Sequence, residues 1–415
     1  MSYPPQVFFT YGPPDPFVNE IITFDASSST PGLNGSVYTP IVEFRWNFSD
    51  GTPLVIESDS LTTHVYTEAG NYAVTLNVTD TIGRWNATSQ TIEVRIPEFN
   101  FTVTPLPPES SSWSWYYIDY DNVQINGNLA LDGNPVPDGL VALEVLNPNN
   151  LQVVLRTLKT GTAPVSGSPV NITHLFLCDM EGNPKNYTIK GAASTYVSVI
   201  VKNTEKEALS PVVVVLNLYQ GLYPLSRSSF ETSTLLPGTS FGGPILVYVP
   251  DWVSLGNVTL YVSVLSGDPH LGGYPYCQEK FLTFPVANPL DPPSGTPTSG
   301  TSPSPNTNGT YNSVFKIHSG AKSDGFVQGH YSIYVSAYYR SQQITNNTII
   351  EVKLAGDVDG DGDVDSIDVF SHVALAYGSK VGDPNYNPDC DFDGDGDVDP
   401  VDVFSYVAPF YGKTA

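Results

Sequence analysis

Two twelve-residue segments near the end of this 415-residue chain carry a carboxylate at nearly every second position. The first, residues 357–368, reads DVDGDGDVDSID, and the second, residues 391–402, reads DFDGDGDVDPVD. Oxygen ligands at loop positions 1, 3, 5 and 12, with glycine at position 6, form the arrangement that wraps Ca²⁺. Carboxylates this close together repel one another unless a cation neutralises them. The two segments therefore predict two Ca²⁺ sites.

Twelve aspartates are the candidate ligands, and their expected roles differ by loop position. Side chains bind at positions 1, 3, 5 and 12, a backbone carbonyl binds at position 7, and position 9 acts through a water. The first loop offers Asp357, Asp359, Asp361, Asp363, Asp365 and Asp368. The second loop offers Asp391, Asp393, Asp395, Asp397, Asp399 and Asp402. Ca²⁺ accepts six to eight oxygens at flexible distances, whereas Mg²⁺ demands a tighter octahedron.

Each loop is followed by apolar residues at helical spacing, so a short helix is expected to position it. The residues that share a face of the first predicted helix are Ile367, Phe370, Val373, Ala374 and Tyr377. Those of the second are Val401, Phe404, Val407 and Ala408. Pro409 is expected to end the second helix early. Since the two copies lie 34 residues apart, the sequence predicts a duplicated loop–helix module.

This duplicated pattern, with Asp rather than Glu at position 12, resembles the dockerin family over residues 355–415. The resemblance implies two motifs packed with pseudo-twofold symmetry and a cohesin domain as partner. The chain departs from the family at loop positions 10 and 11, where Ser366-Ile367 and Pro400-Val401 replace Ser-Thr, and its helices lack the usual Lys and Arg contacts. The expected partners are a cohesin-like domain, copies of this chain, or the preceding β-domain.

The composition of the whole chain favours strands over helices. Tyr and Phe number 25 and 19, prolines number 36, and charged residues make up only 14%. Such chains form short strands and turns. The predicted fold class is mainly β, with tandem Ig-like β-sandwiches followed by a small α-helical dockerin-like calcium module. A net charge of −25 excludes a nucleic-acid partner, which needs a basic face.

Residues 1–97 alternate apolar and polar residues with a strand period, which predicts a β-sandwich. They resemble the PKD domain through FDAS at 24–27, WNFSDG at 46–51, HVY at 64–66 and GNY at 70–72. Ser49 departs from that pattern, because the family usually has glycine there. The resemblance implies structural rather than catalytic roles for Asp50 and His64.

The middle of the chain predicts one sandwich interrupted by another. Residues 112–167 and 312–354 each hold too few strands for a stable sandwich, so together they predict one Ig-like domain. Residues 168–287 form the predicted insert, which resembles CARDB-type adhesion modules through TYVSVIVKN at 195–203 and LLPG at 235–238. Three small domains in series are the alternative. The Pro/Thr/Ser-rich residues 288–311 are expected to be an exposed linker.

Asn-x-Ser/Thr sequons indicate a secreted or cell-surface glycoprotein, with chance occurrence as the alternative. The sequons begin at Asn34, Asn47, Asn77, Asn86, Asn100, Asn171, Asn186, Asn257, Asn308 and Asn346. The first residues lack the basic and apolar stretches of a secretion signal, so a signal is expected to have been removed. No apolar run approaches the ~20 residues that span a bilayer, so no transmembrane segment is expected.

Of the three cysteines, Cys178 follows the first strand of the insert and Cys277 begins its last strand, and the third is Cys390. First and last strands of a sandwich lie near one another. A Cys178–Cys277 disulfide is therefore one expectation and free buried thiols are the other.

No catalytic constellation emerges, and the chain is not expected to be an enzyme. GTSFG at 238–242 matches the G-x-S-x-G pattern, but that motif requires a following helix, which the sequence does not predict. Aromatic residues at 113 and 115–117 could stack on sugars, although packing in a core or linker is the alternative.

Two functional hypotheses follow. The first is an extracellular structural or adhesion protein, stabilised by Ca²⁺, whose last module assembles or docks, for instance in a filament or surface layer. The combination of modules resembles archaeal surface proteins. The second is a dockerin-bearing carbohydrate-binding or enzymatic component of a cohesin-based complex, with surface glycans as further partners.

Overall fold

The computed structural model describes residues 2–106, 116–118, 122–165, 167–190, 195–288, 293, 295–303, 309–317, 328–392, 395–412 and 414. Of residues 116–118 it describes the backbone alone. The chain divides into two compact units, one of Met1–Glu98 with Tyr339–Gln342, the other of Phe99–Tyr338 with Gln343–Ala415. The structure is mostly β-sheet with a small helical stretch near the C-terminus, which confirms the predicted fold class.

The first unit is a β-sandwich with one additional small sheet. Its strands are β1 (Ser2–Tyr3), β2 (Thr10–Gly12), β3 (Ile21–Asp25), β4 (Gly32–Asn34), β5 (Val37–Thr39), β6 (Ile41–Asn47), β7 (Val55–Glu57), β8 (Leu61–Val65), β9 (Gly70–Asp80) and β10 (Trp85–Val94). The sheets run β10-β9-β6-β7, β2-β3-β8 and β1-β4-β5.

Alternation along the strands builds the core of this sandwich. Val74, Leu76 and Val78 of β9 are fully buried, as the period-two pattern predicted. Trp46 of β6 is also buried and packs its ring edge against Phe9, with ring centroids 5.2 Å apart. Because large aromatic rings fill the space between the sheets, this core is tightly specified by its sequence.

Ser49, which stands where the PKD pattern has glycine, adopts a positive φ of 59°. Two hydrogen bonds hold this backbone, since Ser49 N–H donates to Asn47 Oδ1 at 2.9 Å and Ser49 Oγ donates to Ala73 O at 2.7 Å. Beside the turn, His64 Nε2 lies 2.6 Å from Asp50 Oδ2, and the imidazole stacks on Phe48. Asp50 and His64 thus tie the hairpin to the sandwich.

The second unit begins with strands that lie on either side of a long intervening segment. The first group is β11 (Phe99–Pro105), β12 (Tyr116–Ile118), β13 (Asn122–Leu131), β14 (Asn134–Pro135), β15 (Leu140–Leu146) and β16 (Gln152–Lys159). The intervening strands are β17 (Val170–Cys178), β18 (Thr188–Ile189), β19 (Thr195–Asn203), β20 (Val212–Gln220), β21 (Tyr223–Thr232), β22 (Ser240–Val247), β23 (Gly256–Leu265), β24 (Lys280–Ala287) and β25 (Thr298–Thr301). The last group is β26 (Thr310–Lys316), β27 (Gly329–Tyr339) and β28 (Gln342–Lys353).

Strands of the first and last groups pair directly with one another. Antiparallel pairs join β13 to β26 and β15 to β27, within the sheets β11-β13-β14 and β12-β28-β27-β15-β16. Gly127 of β13 lies so close to Tyr311 of β26 that a Cβ atom would overlap the phenol ring. Residues 122–159 and 310–353 therefore share two sheets, although about 150 residues separate β16 from β26 in the chain.

The intervening strands form two sheets of their own, β17-β19-β22 and β18-β24-β23-β20-β21, with β25 added beside β24. The buried valines and leucines of these sheets make one continuous core. Strand β25 lies within residues 288–311, which were predicted to be an exposed linker, and most of its residues are exposed. The Thr-Ser-Gly-Thr stretch at 298–301 is suited to an edge strand, and its backbone pairs with Lys280–Thr283.

A buried ion pair connects the two sandwiches of the second unit. Arg156 of β16 donates to Glu279 through Nε and Nη2, at 2.8 to 3.2 Å. Glu279 is fully buried and also accepts the backbone N–H of Thr157 at 3.0 Å. The guanidinium lies 3.5 Å from the ring centroid of Tyr261. Its charge is therefore balanced on one side and shielded by an aromatic ring on the other.

Cys178 and Cys277 do not form a disulfide, and all three cysteines are free and buried. Cys277 lines the same cavity as Val170 and Ile172, at the start of β17, whereas Cys178 ends that strand. Six residues of strand extend roughly 20 Å, far beyond the Cα separation that a disulfide allows. The first and last strands are adjacent as expected, but the two thiols lie at opposite ends. Burial raises the pKa of Cys277 to about 12.

The C-terminal module contains a short helix after each acidic loop and a 3₁₀ turn at Pro388–Cys390. The first helix (Asp368–Val373) continues as one α-helical turn (Ala374–Ala376), and the second helix spans Asp402–Val407. Both are wound more widely than an α-helix, since Ala374 N–H donates to Val369 O and Ala408 N–H donates to Val403 O, five residues back.

This wider winding changes which side chains are buried. In the first helix Asp368, Val373 and then Ala376 face inward, while Phe370 is 70% exposed. A 3.6-residue period does not describe these helices, so the predicted apolar stripe does not pack as a unit. Pro409 follows the second helix, which ends at Val407 without the additional turn seen in the first.

Candidate metal centre

The first acidic loop is closed by its first and last aspartates, which are 4% and 1% exposed. Asp357 accepts the backbone N–H of Gly360 at 2.7 Å and of Gly362 at 3.0 Å. Asp368 accepts the N–H of Val358 at 2.7 Å and of Asp365 at 2.8 Å. Backbone N–H donors therefore hold both carboxylates inside the loop. Without them, repulsion between the aspartates would expand the loop.

The second loop repeats this geometry. Asp402, which is fully buried, accepts the N–H of Phe392 at 2.6 Å and of Asp399 at 2.8 Å. Asp391 accepts the N–H of Gly396 at 3.0 Å through Oδ2. Asp393 lies outside the described residues. The bonds to Asp402 match those to Asp368 in the first loop. Asp391 Oδ1, however, has no partner among the described residues, whereas Asp357 Oδ1 accepts the N–H of Gly360.

Two carboxylate groups of the first loop converge closely enough to hold a metal ion. One contains Asp357, Asp359 and Asp361, and the other contains Asp363, Asp365 and Asp368. Within each group the ligand oxygens lie within 4.8 Å of one another. Oxygens that bind one Ca²⁺ at 2.3–2.6 Å are separated by about 5 Å at most. The acidic cluster can therefore hold a metal ion.

Burial leaves the second loop with unpaired carboxylate oxygens. Asp391 Oδ1 and Asp397 Oδ1 are inaccessible to solvent and have no hydrogen-bond partner. Asp391 is 3% exposed. A buried anionic oxygen without a donor is unfavourable by several kcal/mol unless a cation is near. The Oδ1 of Asp391, at loop position 1, fits an oxygen-binding cation, whereas Asp397 is paired with Lys380 through its Oδ2.

The pKa values of two aspartates in the first loop also indicate that a positive charge would stabilise it. Burial raises the pKa of Asp357, and the like charge of Asp368 adds to this, against hydrogen bonds from Gln328 and the loop amides. Burial also raises the pKa of Asp363, with the carboxylate of Asp361 contributing. A bound divalent cation would reverse both shifts because it favours the ionised form.

The two loops pair back to back with approximate twofold symmetry. Gly378 N–H donates to Val398 O at 2.8 Å, and Gly412 N–H, 34 residues later, donates to Val364 O at 2.7 Å. Both valines are fully buried between the loops. A matching pair of bridges joins Lys380 to Asp397 and Thr414 to Asp363. Short β-type contacts of this kind make the loops one cooperative unit.

Three side chains that contact the loops were not predicted. Tyr386 donates its hydroxyl to Asp391 Oδ2 at 2.7 Å. Lys380 Nζ lies 2.7 Å from Asp397 Oδ2. Gln328 hydrogen-bonds Asp357 and accepts Leu354 N–H at 2.9 Å. The 34-residue repeat places Lys380 and Thr414 at equivalent positions, which could have directed attention to Lys380. The Gln328 contact depends on tertiary packing.

Each helix exposes an apolar surface. We define the helix face as Ile367, Phe370, Ala374 and Tyr377 in the first copy, with Val401, Phe404, Ala408 and Tyr411 in the second. All eight residues are exposed, and the two phenylalanines reach 70% and 71%. Because the copies are related by the pseudo-twofold axis, the module presents the same surface twice.

The remaining predicted sites are spread over the β-domains. Most sequon asparagines are exposed, whereas Asn77 and Asn346 are half-buried, and Asn346 Nδ2 donates to Phe101 O at 2.6 Å. Asn308 lies outside the described residues, as do Trp113, Trp115 and the side chains of residues 116 and 117. Ser240 begins strand β22, so the G-x-S-x-G stretch leads into a strand rather than a helix.

Comparison with known proteins identifies the first sandwich. Residues 9–96 match the sequence model of the PKD domain family, which confirms the resemblance predicted for this part of the chain. The chain is also similar to collagenase ColA of Bacillus cereus, with 31% identity over 142 residues. That alignment covers 34% of this chain and 13% of the collagenase.

The solved structures that match this chain do so with low TM-scores. Carbohydrate-binding modules of the β-sandwich superfamily match with 12% identity and a TM-score of 0.21, covering 76% of this chain and 98% of theirs. Fibronectin(III)-like modules of Clostridium thermocellum CbhA match with 11% identity and a TM-score of 0.19, covering 60% of this chain and 97% of theirs. At these values the likenesses carry no functional information for this chain. No helix among the described residues is long and apolar enough to cross a bilayer.

Proposed function

We propose that this chain is an extracellular adhesion or structural protein whose C-terminal module is stabilised by two Ca²⁺ ions and serves in assembly or docking. The observation that carries the proposal is the duplicated loop with buried carboxylates, in particular the unpartnered Oδ1 of Asp391. The candidate ligands in the described parts of these loops are carboxylate and carbonyl oxygens, and Ca²⁺ is the common cation that takes such a ligand set at flexible distances.

The ligands in this proposal are the aspartates at loop positions 1, 3, 5 and 12. In the first loop they are Asp357, Asp359, Asp361 and Asp368, with the carbonyl of Asp363 and a water at Asp365. In the second loop they are Asp391, Asp393, Asp395 and Asp402, with the carbonyl of Asp397 and a water at Asp399. Bound Ca²⁺ would neutralise the mutual repulsion of each loop and hold it closed.

The β-domains would act as spacers or adhesion surfaces. We interpret residues 112–167 and 312–354 as one Ig-like sandwich and residues 168–287 as a domain inserted into it. The pairing of β13 with β26 and of β15 with β27 supports this interpretation. PKD and Ig-like domains are typical of extracellular proteins, and exposed sequons such as Asn34, Asn171 and Asn257 are suitable acceptors for glycans in that setting.

The helix face supports the assembly part of the proposal. Two phenylalanines about 70% exposed on one small module are unfavourable in water unless a partner covers them. A second copy of the chain or a cohesin-like domain would bury them. A dockerin-bearing component of a cohesin-based complex is therefore the second candidate function.

Calcium titration of the full chain tests the proposal. After chelator treatment and dialysis, isothermal titration calorimetry should show two Ca²⁺ bound per chain. Asp357→Asn should abolish one site, because a neutral amide replaces a buried ligand. Asp363→Asn, in the same loop, should retain both sites, since position 7 binds through its carbonyl.

The result against the proposal is equally definite. If the full chain binds no Ca²⁺, or if Asp357→Asn and Asp363→Asn have the same effect on the stoichiometry, the assignment of the ligands is wrong.

A further inference from the structure

Lys380 and Thr414 occupy equivalent positions in the paired loops. Lys380 forms a backbone bridge with Asp397 of the second loop, and Thr414 forms the matching bridge with Asp363 of the first. Both members of each bridge are 34 residues from their counterparts. The pseudo-twofold axis therefore places an ammonium group beside one loop and an uncharged hydroxyl beside the other.

The lysine is fixed at the second loop by its backbone as well as its side chain. Lys380 N–H donates to Asp383 Oδ2 at 2.9 Å, while Nζ donates to Asp397 Oδ2 at 2.7 Å. The ammonium also lies in the field of Asp395 and Asp399. The second loop thus contains an internal positive charge close to its carboxylates.

Position 7 of such loops binds metal through its backbone carbonyl. The side chain of Asp397 is therefore free to stay paired with Lys380 when a cation occupies the loop. The ammonium group does not have to leave, so its repulsion of a divalent cation persists in the bound state. In the first loop, Thr414 contributes no such charge.

From this asymmetry we propose that Lys380 makes the two metal sites unequal, so that the first loop fills at lower Ca²⁺ concentration and the second at higher concentration. The inference rests on the proposed calcium function and goes beyond it by assigning an order of loading. The second loop is partly neutralised before metal binds, whereas no described residue forms an ion pair with the aspartates of the first loop. A module of this kind responds to Ca²⁺ in two steps.

The size of the effect follows from the exposure of the ion pair. The Lys380 side chain is 71% exposed, so the pair itself contributes little to folding stability. A unit charge near a divalent cation in a water-like dielectric still changes affinity on the order of 5- to 10-fold. The expected signature is therefore a shift in affinity with little change in melting temperature of the metal-free protein.

Exchanging the two residues tests this inference on the full chain. Lys380→Thr should raise the affinity of the second loop for Ca²⁺ several-fold, and Thr414→Lys should lower that of the first loop by a similar factor. Each loop is measured alone by calorimetry, in an Asp357→Asn background for the second loop and an Asp391→Asn background for the first. Lys185→Thr, an exposed lysine of the inserted sandwich, is the control for net charge.

The outcomes separate this inference from the proposed function. If both loops bind Ca²⁺ but Lys380→Thr has no more effect than Lys185→Thr, the order of loading is wrong and the calcium function stands. If neither loop binds Ca²⁺, the proposed function fails first. The shift should also shrink as salt is raised from low to physiological concentration, because the interaction is partly exposed.

Discussion

Individual buried aspartates fix loops in this protein, because each carboxylate accepts several hydrogen bonds from the loop around it. Asp80 shows the principle in the PKD domain, where it is 1% exposed and accepts hydrogen bonds from Thr39 and Arg84. Asp368 and Asp402 play the same part in the C-terminal module, with backbone N–H groups as the donors. Asp80 likewise accepts the backbone N–H groups of Ile82 at 3.1 Å and Arg84 at 2.9 Å.

The acid sensitivity of the PKD domain should depend on Asp80. Burial alone would raise its pKa, but hydrogen bonds from Arg84, Thr39 and Ile82 outweigh burial and lower it to about 2. A depressed folded-state pKa adds stability above the ordinary value of 3.8, and that stability is lost as pH falls towards 2. Calorimetric melting of the full chain between pH 5 and pH 2 should show this loss for the PKD transition.

The Asp80→Asn variant provides the comparison. Its PKD transition should be less stable at neutral pH and should change less between pH 4 and pH 2 than that of the unmodified chain. An equal acid-induced decline in both proteins would show that other carboxylates dominate.

At the scale of elements, the ion pair between Arg156 and Glu279 connects strands of two sandwiches. Burial would lower the pKa of Arg156, but Glu279 outweighs it and raises that pKa. The pair is the product of tertiary packing, since 122 residues lie between the two partners in the chain. The Glu279 carboxylate is fully buried, and 16% of the Arg156 side chain is exposed.

Glu279→Gln should destabilise the second unit by about 3 kcal/mol, because it leaves a buried guanidinium without its countercharge. The matched control is Glu43→Gln, which removes an exposed ion pair with Arg45 of the same type and 3.0 Å length. The control should change stability by less than about 1 kcal/mol. Denaturant unfolding of both variants measures the difference, and similar values for the two would contradict the buried-pair argument.

At the scale of the whole molecule, the proposed function predicts that the helix face mediates association between chains. Negative-stain microscopy of the full chain should show ordered assemblies with Ca²⁺ that disperse in chelator, since the loops hold the helices in place. A double variant, Phe370→Ser with Phe404→Ser, should bind two Ca²⁺ yet fail to assemble, because it removes the largest exposed apolar area.

Leu271→Ser is the control for this experiment, since Leu271 is 79% exposed but lies between β23 and β24, outside the C-terminal module. Assemblies that persist in the phenylalanine variant would place the contact elsewhere. Monomers that instead capture a cohesin-bearing protein in the presence of Ca²⁺ would favour the second candidate function.

Local patterns in the sequence were enough for the features that depend on neighbouring residues. The mainly β fold follows from alternation such as that in β9, and the PKD domain follows from short motifs around Trp46 and Gly70. The candidate ligands also follow from spacing alone, because a twelve-residue loop brings its own carboxylates together wherever it lies. The two acidic segments of the sequence are therefore found in the structure as two loops, each closed by hydrogen bonds to its last aspartate.

Tertiary structure alone decided the features that join distant residues. Alternation and turn signals show which side of a strand is buried, but not which end of it lies beside another strand. They therefore could not predict the relative positions of Cys178 and Cys277. The pattern of apolar residues could not show that the helices are wound widely enough to leave Phe370 and Phe404 in solvent. Lys380 reaches Asp397 only because the two loops pair back to back, and Thr414, at the equivalent position beside the first loop, carries no charge.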